Sequence, residues 1–462
     1  MSTPPLSRAS GRARDAAPVR LVHLGLGNFF RAHQAWYTDR ATDAEAWGIA
    51  GFTGRTSGVA EQLTAQEGLY TLVTRASDRD RFEVVASLSR AHAAADHDAW
   101  LAYLRSPELA AVTFTVTEAG YVGAPSGGLD AARAEIRAEV EALRRDPAAL
   151  VATAPARLAA GLAARRRSGA GPVALVPCDN VAGNGAITAR IVADFAELID
   201  PALAAWIAES VSIVSTMVDR ITPQTTPQDM GTVREATGHD DRAPVVSEPF
   251  TEWVLEGAFP CGRPRWEDAG ATFTDDVMPF EHRKLWLLNG AHSLLAYAGA
   301  IRGHVTVADA VADDTCRGWL EQWWSEASPH LDLPAADLVV YRDALLERFA
   351  NGRMHDRLER IAADGSQKLP IRIVPVLRAE RLAGRLPEGA TRVLAAWVCH
   401  LRGSGARISD ARAEQVVPLA AGRLSDAVRR VLAELDPALG ADPDVVASVV
   451  GHCEQLAPRS QR

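Results

Sequence analysis

The stretch VRLVHLGLGNFFRAHQAWYTDRA, residues 19–41, decides the fold of the first half of the chain. Its first six residues, 19–24, form a short apolar run with β-branched side chains, which predicts a strand. Gly25 and Gly27 follow at once, and a helical pattern runs from about residue 28 to residue 44. A second strand is predicted in WGIAGFTG, residues 47–54. Strand, glycine turn, helix and strand together make one βαβ unit.

Predicted strands and helices continue to alternate as far as about residue 275, which favours a parallel or mixed α/β sheet. Further strands are predicted at 70–74, 82–88, 111–117, 173–177 and 211–217. After residue 275 strand patterns almost disappear, and helices are predicted at 281–301, 306–327, 335–350, 353–363, 370–384, 389–402, 411–416 and 422–435. The sequence therefore predicts a disordered tail over 1–17, an α/β domain with a mixed sheet over 18–278 and a mostly α-helical domain over 279–455.

The composition excludes several classes of protein. The 462 residues carry a net charge of −9, which leaves no basic surplus for nucleic-acid phosphates or for an anionic membrane surface. No apolar run is long enough for a membrane span, and the first 17 residues lack the apolar core of a secretion signal. The five cysteines have no CxxC spacing, which predicts reduced thiols in a cytoplasmic protein and no zinc site.

The glycine turn is a candidate phosphate site. In a dinucleotide-binding fold, a glycine in the place of Gly25 permits a tight turn, and one in the place of Gly27 lets a pyrophosphate approach the helix start. We therefore assign Gly25, Gly27, Asn28 and Phe29 to cofactor binding. The usual third glycine is Phe30 here, so the fingerprint is incomplete, and a plain strand–helix turn is the alternative.

The end of the second strand should select the cofactor. An acidic residue there would bind the adenosine 2′-hydroxyl of NAD, whereas an arginine would accommodate the 2′-phosphate of NADP. The sequence offers Arg55, Thr56 and Ser57 and no acid. This favours NADP, or tolerance of it, although an arginine can also stack on the adenine, so the cofactor is predicted as NAD or NADP.

The stretch KLWLLNGAHS, residues 284–293, places three polar side chains in an otherwise apolar helix. At 100° per residue, Lys284 and His292 lie within about 80° of each other, and Asn289 lies about 60° beyond His292. A partly exposed polar stripe, or a structural histidine, would explain this pattern. The functional alternative uses a desolvated lysine as the base for a substrate hydroxyl, with Asn289 donating to the developing alkoxide and His292 binding an oxygen.

Polar loops follow three of the predicted strands, where ligands bind in open α/β sheets. They are VTEAGY with Glu118, PCDNVAGNG with Asn180 and TMVDRITP with Asp219. We assign Glu118 to cofactor binding. Two of these loops have an ordinary explanation as well, since the second is a normal turn composition and, in the third, Asp219 and Arg220 can form a simple ion pair. In the helical part, DGSQKLPIR predicts a loop in which Lys368 and Arg372 either meet a polyol or an acid, or face solvent.

These stretches together resemble the polyol-specific long-chain dehydrogenase/reductase family, which includes mannitol 2-dehydrogenase, arabinitol dehydrogenase and fructuronate (mannonate) reductase. The resemblance covers nearly the whole chain in order, and the Lys-x4-Asn-x2-His pattern is its most specific motif. The matching stretches are LVHLGLGNFFRAH, GLYTLV, VTEAGY, PCDNVAGNG, STMVDRITP, SEPFTEWVLEG, GRPRWEDAGATFTDDVMPFEHRKLWLLNGAHSLLAY and DGSQKLPIR.

The resemblance implies a Rossmann-type domain, then a helical substrate-binding domain, with the site between them and metal-independent oxidation of a secondary alcohol. It implies that Lys284 is the general acid/base, that Asn180 and Asn289 form the oxyanion hole and that His292 binds substrate. Asp219 matches a family aspartate near the lysine. The chain departs from the family at Trp286, where members often have Arg, and in lacking an acid near Arg55.

Three functions are therefore compared. The first is a polyol dehydrogenase of the mannitol/fructose type, with a small-molecule polyol or ketose as its only expected partner. The second is a uronate reductase of the fructuronate or tagaturonate type, which would need a carboxylate clamp such as Lys368 and Arg372. The third is a sensor without catalysis, against which the intact lysine motif argues. Which polyol or uronate is used depends on pocket shape, which the sequence does not give.

Overall fold

A computed structural model describes residues 3–11, 13–54, 56–124 and 127–456, apart from the side chain of Ser10. The chain divides into two compact units, Met1–Val277 and Met278–Arg462, here called the sheet unit and the helical unit. Both units contain many buried apolar side chains.

The strands of the sheet unit lie close to where the sequence predicts them. They are β1 (Val19–Leu24), β2 (Gly48–Phe52), β3 (Tyr70–Arg75), β4 (Asp80–Val85), β5 (Leu88–His92), β6 (Ala111–Phe114), β7 (Val173–Pro177), β8 (Val211–Ile213), β9 (Ser215–Asp219), β10 (Val245–Ser247), β11 (Glu252–Glu256) and β12 (Thr272–Phe273). The predicted strand 82–88 is in fact β4 and β5, and the predicted strand 211–217 is β8 and β9.

The main sheet has six strands in the order β5-β2-β1-β6-β7-β8. Every neighbouring pair is parallel, so this sheet is parallel rather than mixed. Buried on both faces, β7 reads VALVP without a polar residue, as parallel strands do. In this order β2 lies on one side of β1 and β6 lies on the other, so the direction in which strands are added reverses between β1 and β6. Ligands of open α/β sheets bind at the carboxyl ends of the strands where this reversal occurs.

Two small three-stranded sheets complete the sheet unit, in the orders β10-β3-β4 and β12-β11-β9. Each combines one parallel and one antiparallel pair, so the mixed pairing predicted from the sequence occurs here. The antiparallel pair of β9 and β11 places Asp219 opposite Glu252.

Helices cover both faces of the main sheet. They are α1 (Asn28–Ala32), α2 (Gln34–Arg40), α3 (Gly58–Ala65), α4 (His97–Leu104), α5 (Ala134–Arg145), α6 (Ala154–Ser168), α7 (Asn184–Ile199), α8 (Pro201–Ser210) and α9 (Pro227–Thr237). Alternate residues of β1 enter different cores, since Val22 and Leu24 face one apolar cluster and Leu21 faces the other. The single helix predicted from residue 28 is broken at His33, whose ring nitrogen Nε2 lies 2.9 Å from the carbonyl oxygen of Glu252.

The predicted disordered tail differs from the structure. Leu6 is buried beside Leu69 and Ala86, and Pro5 forms an isolated bridge with Asp240. The side chain of Arg8 donates to the carbonyl oxygens of Ala86 and Leu88. Tail residues therefore pack on the sheet unit, because one apolar residue and one arginine find partners that the local composition does not reveal.

The helical unit contains no strand among its described residues. Its α-helices are α10 (Met278–Arg283), α11 (Ala291–Leu294), α12 (Val307–Ala312), α13 (Asp314–Ala327), α14 (Ala335–Ala350), α15 (Leu358–Ile361), α16 (Gly365–Arg372), α17 (Val374–Leu382), α18 (Glu388–Leu401), α19 (Ala413–Leu419), α20 (Leu424–Leu435), α21 (Pro437–Ala441) and α22 (Pro443–Leu456). The predicted loop around Lys368 is instead helix α16, and α21 and α22 were not predicted. In the part of the chain that is described, no helix combines the length and the apolar character needed to cross a membrane.

The first helix of this unit is continuous but not uniformly α-helical. Two π-helical segments, Lys284–Gly290 and Leu295–Gly299, lie on either side of α11. In a π-helix the hydrogen bonds join residues five apart, so one turn separates Lys284 from Asn289. The α-helical geometry predicted for this stretch is therefore wrong, and its polar side chains are closer in angle than 100° per residue implies.

Candidate active site

The turn between β1 and α1 requires glycine at its first position. Gly25 has a φ of +112°, and a Cβ atom built there would lie 2.4 Å from the carbonyl oxygen of Thr115. The amides of Gly25 and Leu26 both donate to the carbonyl oxygen of Phe52 at 2.9 Å. The turn is thus held tightly between the ends of β2 and β6.

The second glycine leaves room above the backbone. A Cβ atom on Gly27 would meet only the carbonyl oxygen of Gly25, at 3.6 Å. Gly27 precedes α1, whose first amides have no partner within the helix. Open space beside free amides fits the pyrophosphate of a dinucleotide. The side chain of Asn28 is also fixed, because its Oδ1 accepts a hydrogen bond from Arg31 at 2.7 Å. Phe29 stacks on His33 with ring centroids 5.0 Å apart.

A buried histidine that the sequence analysis did not select supports this turn. The His23 ring nitrogens lie 2.8 Å from Thr113 Oγ1 and 3.2 Å from the carbonyl oxygen of Gly25. Its ring stacks on Phe30 at 3.7 Å, and burial lowers the pKa of His23 to about 3. The imidazole is therefore neutral under the turn. A polar residue in the middle of an apolar strand was the available signal.

Two of the predicted cofactor contacts are less defined. Arg55 lies outside the described residues, so its proposed role at the ribose stays a prediction. Glu118 is exposed at the start of the short 3₁₀ turn Glu118–Tyr121, after β6.

The loop after β7 is organised by side chains that the sequence analysis passed over. Asp179 is buried and accepts hydrogen bonds from the Tyr121 hydroxyl and, at 3.3 Å, from the Val181 amide. Burial, opposed by these bonds, raises the pKa of Asp179 to about 6. Asn184 pairs with Thr216, donating to its carbonyl oxygen at 2.9 Å and accepting from its amide at 3.0 Å. Asn180, the predicted oxyanion residue, is exposed at the tip that these contacts hold.

Asp219 closes β9 and is 5% exposed. The next residue, Arg220, donates to the carbonyl oxygens of Ala32 and Glu248 and lies over the ring of Trp36 at 4.9 Å. The guanidinium of Arg220 thereby joins α1 to the segment after β10, and the ion pair with Asp219 considered from the sequence stays a prediction.

Contacts between side chains and backbone thus connect the predicted loops of the sheet unit at one edge. Thr115 contacts the glycine turn, Tyr121 reaches the loop after β7 and Asn184 reaches β9. Asn28 in turn donates to the carbonyl oxygen of Pro223 at 3.4 Å. The carboxyl ends of β1, β6, β7 and β9 therefore form one polar surface.

In the helical unit, Lys284 is 9% exposed and opens the first π-helical segment. That segment is stabilised from α13, where Trp323 Nε1 donates to the carbonyl oxygen of Trp286 at 2.8 Å and Trp324 Nε1 donates to that of Leu287 at 2.9 Å. Gly290 makes this approach possible, because a Cβ atom there would lie 2.7 Å from the Trp323 ring. The glycine thus admits an indole.

Of the other residues predicted for the site in this unit, Arg372 contacts the helix that carries Lys284, whereas Lys368 has its contacts elsewhere. His292 is half-buried, with its ring 4.9 Å from that of Phe349. Arg372 reaches the lysine helix, donating to the carbonyl oxygen of Asn289 and to Ser293 Oγ, both at 3.4 Å. Lys368 points elsewhere, since its ammonium donates to the carbonyl oxygens of Ala363 at 2.6 Å and Ile361 at 3.3 Å.

Comparisons with known proteins agree with this arrangement. The family model described as the mannitol dehydrogenase Rossmann domain matches residues 19–268, and the mannitol dehydrogenase C-terminal domain matches residues 276–457. The chain belongs to the mannitol dehydrogenase family. The resemblance found from the motifs is confirmed, as are the Rossmann-type sheet and the helix-rich second half.

Members of the mannitol dehydrogenase family are similar over most of the chain. D-mannonate oxidoreductase of Escherichia coli (strain K12) is 37% identical over 395 residues, 83% of this chain and 80% of that protein. D-arabinitol 4-dehydrogenase of Ralstonia nicotianae is 39% identical over 390 residues, 82% of each. The structure of Pseudomonas fluorescens mannitol 2-dehydrogenase with NAD and D-mannitol matches with a TM-score of 0.81 and 32% identity, covering 98% of this chain and 96% of that one.

Membership in this family makes the protein an oxidoreductase with an NAD-binding fold. Among the described residues, one group has metal-ligand chemistry, formed by His304, Asp313 and Cys316 in the helical unit. Arg302 donates to the same carboxylate at 2.7 Å, and His304 lies 2.8 Å from it. The carboxylate is therefore already neutralised by a guanidinium, which would repel a metal ion.

Proposed function

We propose that the protein interconverts a secondary alcohol of an acyclic polyol and the corresponding ketone, as in the mannitol/fructose pair. The nicotinamide ring of NAD or NADP would accept and return the hydride. Lys284 would take the hydroxyl proton during oxidation and return it during reduction. The partner is then a small-molecule polyol or ketose.

One observation supports this function above the others. A buried lysine begins a π-helical segment that places an amide side chain one turn away. An amine removed from water is suited to accept a proton, and an amide N–H can donate to the oxygen that becomes negative. A segment that only faced solvent would not need the two indole hydrogen bonds that hold this geometry.

The other site residues have distinct roles in the proposal. Asn180, exposed on the loop after β7, would donate to the reacting oxygen together with Asn289. His292 would bind the same oxygen or a neighbouring hydroxyl. Asp219 would assist proton movement to or from Lys284. Gly25, Gly27, Asn28, Phe29 and Glu118 would contact the cofactor, since they lie at the carboxyl edge of the sheet.

The decisive experiment is the Lys284→Ala variant. General acid–base catalysis contributes about 100- to 10,000-fold, so kcat with the best polyol should fall by at least about 100-fold at neutral pH. Dinucleotide binding, measured by quenching of tryptophan fluorescence, should stay within about twofold of wild type and serves as the control for folding. Near wild-type turnover in this variant would disprove the assignment.

A uronate reductase of the fructuronate type is the second candidate, and Arg372 is the observation in its favour. Its Nε is buried without a partner among the described residues, and burial lowers the pKa of Arg372 to about 10. A substrate carboxylate would satisfy that donor. Competition between mannitol, arabinitol and fructuronate decides: the largest kcat/KM for fructuronate, reduced at least about tenfold by Arg372→Met, would replace the polyol proposal.

A cytoplasmic location is also proposed. All five cysteines are free thiols, and Cys178, Cys316, Cys399 and Cys453 are buried. Free thiols are typical of a reducing compartment.

A further inference from the structure

The carboxyl end of β2 carries a buried cation that neither the motifs nor the family comparison assigns. Arg157 is the fourth residue of α6, and its side chain is 1% exposed. Its Nη1 donates to the carbonyl oxygen of Thr53 at 3.3 Å, one residue beyond β2. Gly54, Thr56 and Ser57, which follow, are exposed, so the strand end opens to solvent next to this contact.

Arg157 lacks a counter-charge in the part of the chain that the structure describes. Its Nε and Nη2 are buried without a hydrogen-bond partner. Burial alone lowers the pKa of Arg157, to about 10, and no carboxylate acts on it. The rings of Trp100 and Phe52 lie 5.0 and 5.6 Å from the guanidinium and compensate only in part. A buried charge of this kind is costly unless a partner arrives.

A histidine next to Arg157 is also buried without hydrogen-bond partners among the described residues. His97 begins α4 and is 5% exposed, and both of its ring nitrogens are buried without a partner among the described residues. Burial first, and then the charge of Arg157, lower the pKa of His97. Four buried nitrogen atoms without a partner among the described residues, two on Arg157 and two on His97, therefore lie beside the end of β2, whereas buried polar atoms in a structural core are almost always hydrogen-bonded.

Arg165 shows what a structural arginine looks like on the same helix. It is 0% exposed, eight residues after Arg157. Its guanidinium donates to six carbonyl oxygens, those of Leu104, Ser106, Leu109, Ala170, Gly171 and Pro172. The helix thus carries one fully satisfied buried arginine and one with two N–H groups left over. The difference indicates that Arg157 is completed by a ligand rather than by the protein.

We propose that Arg157, with His97 beside it, binds the 2′-phosphate of NADP(H) and makes NADP the preferred cofactor. This rests on the proposed function, since it concerns the dinucleotide of the same reaction. The end of the second strand is where the adenosine ribose lies in this class of fold. A phosphate dianion offers several acceptor oxygens and the missing negative charge. In NAD a 2′-hydroxyl takes the place of this phosphate, and a hydroxyl supplies neither the negative charge nor the additional acceptor oxygens.

The test measures binding rather than turnover. Calorimetry with 2′-phospho-ADP-ribose and ADP-ribose should show at least about tenfold tighter binding of the phosphorylated compound by the wild type. Arg157→Met should lose about 10- to 100-fold in affinity for that compound, as expected for a charged hydrogen bond, and keep its affinity for ADP-ribose within about twofold. Equal loss for both compounds, or tighter binding of ADP-ribose by the wild type, would overturn the inference.

Thermal unfolding without ligand separates the binding role from a structural one. Removing an unpaired buried cation should leave the Tm of Arg157→Met unchanged or raise it. The matched Arg165→Met variant should lower the Tm, because six carbonyl oxygens lose their donor.

If Arg157→Met does not fold, the variant Arg157→Lys replaces it in the binding test. This variant keeps the charge and should retain part of the preference for the phosphorylated compound; a preference equal to that of the wild type would also overturn the inference. Failure of both compounds to bind would instead contradict the proposed dinucleotide-dependent function.

Discussion

Asp179 shows how much of the site depends on single buried groups. Its neighbours are the hydroxyl of Tyr121 and the amide of Val181, and the next residue is the proposed oxyanion donor Asn180. The oxyanion role of Asn180 was predicted from the family resemblance, and its loop was noted because it follows a predicted strand. Asp179 was not predicted, because the partner that fixes it, Tyr121, is 58 residues away and is brought near only by the parallel order of β6 and β7.

The carboxyl of Asp179 should make stability depend on pH. Its folded pKa, about 6, lies above the usual value of about 3.9, so its contribution is present below pH 4 and is lost as pH rises through 6. Relative to wild type, Asp179→Asn should therefore gain up to about 3 kcal/mol of unfolding free energy between pH 4 and pH 7. Urea unfolding at several pH values measures this. The exposed Asp78→Asn is the control, and a flat difference for Asp179→Asn would contradict the expectation.

At the scale of elements, local patterns predicted the strands best. The bounds of β1 and β7 agree with the sequence, because short apolar runs between turns leave little choice. The π-helical segment at Lys284 was not predictable in this way, since its carbonyl oxygens are bound by indoles 37 residues further on. Helix α16 was predicted as a loop, but Asp410 accepts hydrogen bonds from the amide and hydroxyl of Ser366 and stabilises the start of the helix.

Trp323 should matter to both stability and catalysis because it donates to the π-helical segment. Trp323→Phe removes the hydrogen bond to the carbonyl oxygen of Trp286 and should cost about 1–3 kcal/mol. We expect kcat to fall as well, since the segment that spaces Lys284 and Asn289 would relax. Trp319→Phe, one turn earlier on α13, is the matched control, because the contacts of Trp319 are with Arg302 and Arg392. An equal effect of both variants on kcat would contradict this role.

Across the whole molecule, nearly all of the lysine and arginine positions are arginine. The chain has 49 lysines and arginines, and the only two lysines are Lys284 and Lys368. Arginine stays protonated under all working conditions, whereas a lysine can exchange its proton when it is removed from water. The protein therefore has two amine side chains available for acid–base work. The structure separates them, since Lys368 donates to the carbonyl oxygens of Ile361 and Ala363.

This composition allows the proposed acid/base to be tested chemically. In Lys368→Arg, Lys284 is the single lysine, and activity should be kept because a guanidinium can also donate to the two carbonyl oxygens. Acetylation of this variant with acetic anhydride, followed by peptide mass spectrometry, should remove activity in proportion to modification of Lys284. Saturating concentrations of dinucleotide and polyol should slow both the acetylation of Lys284 and the loss of activity. The N-terminal amine is quantified in the same spectra, and loss of activity that follows its modification instead would remove the case for Lys284. Full activity with Lys284 acetylated would do so too, because an amide nitrogen cannot carry the proton between substrate and solvent.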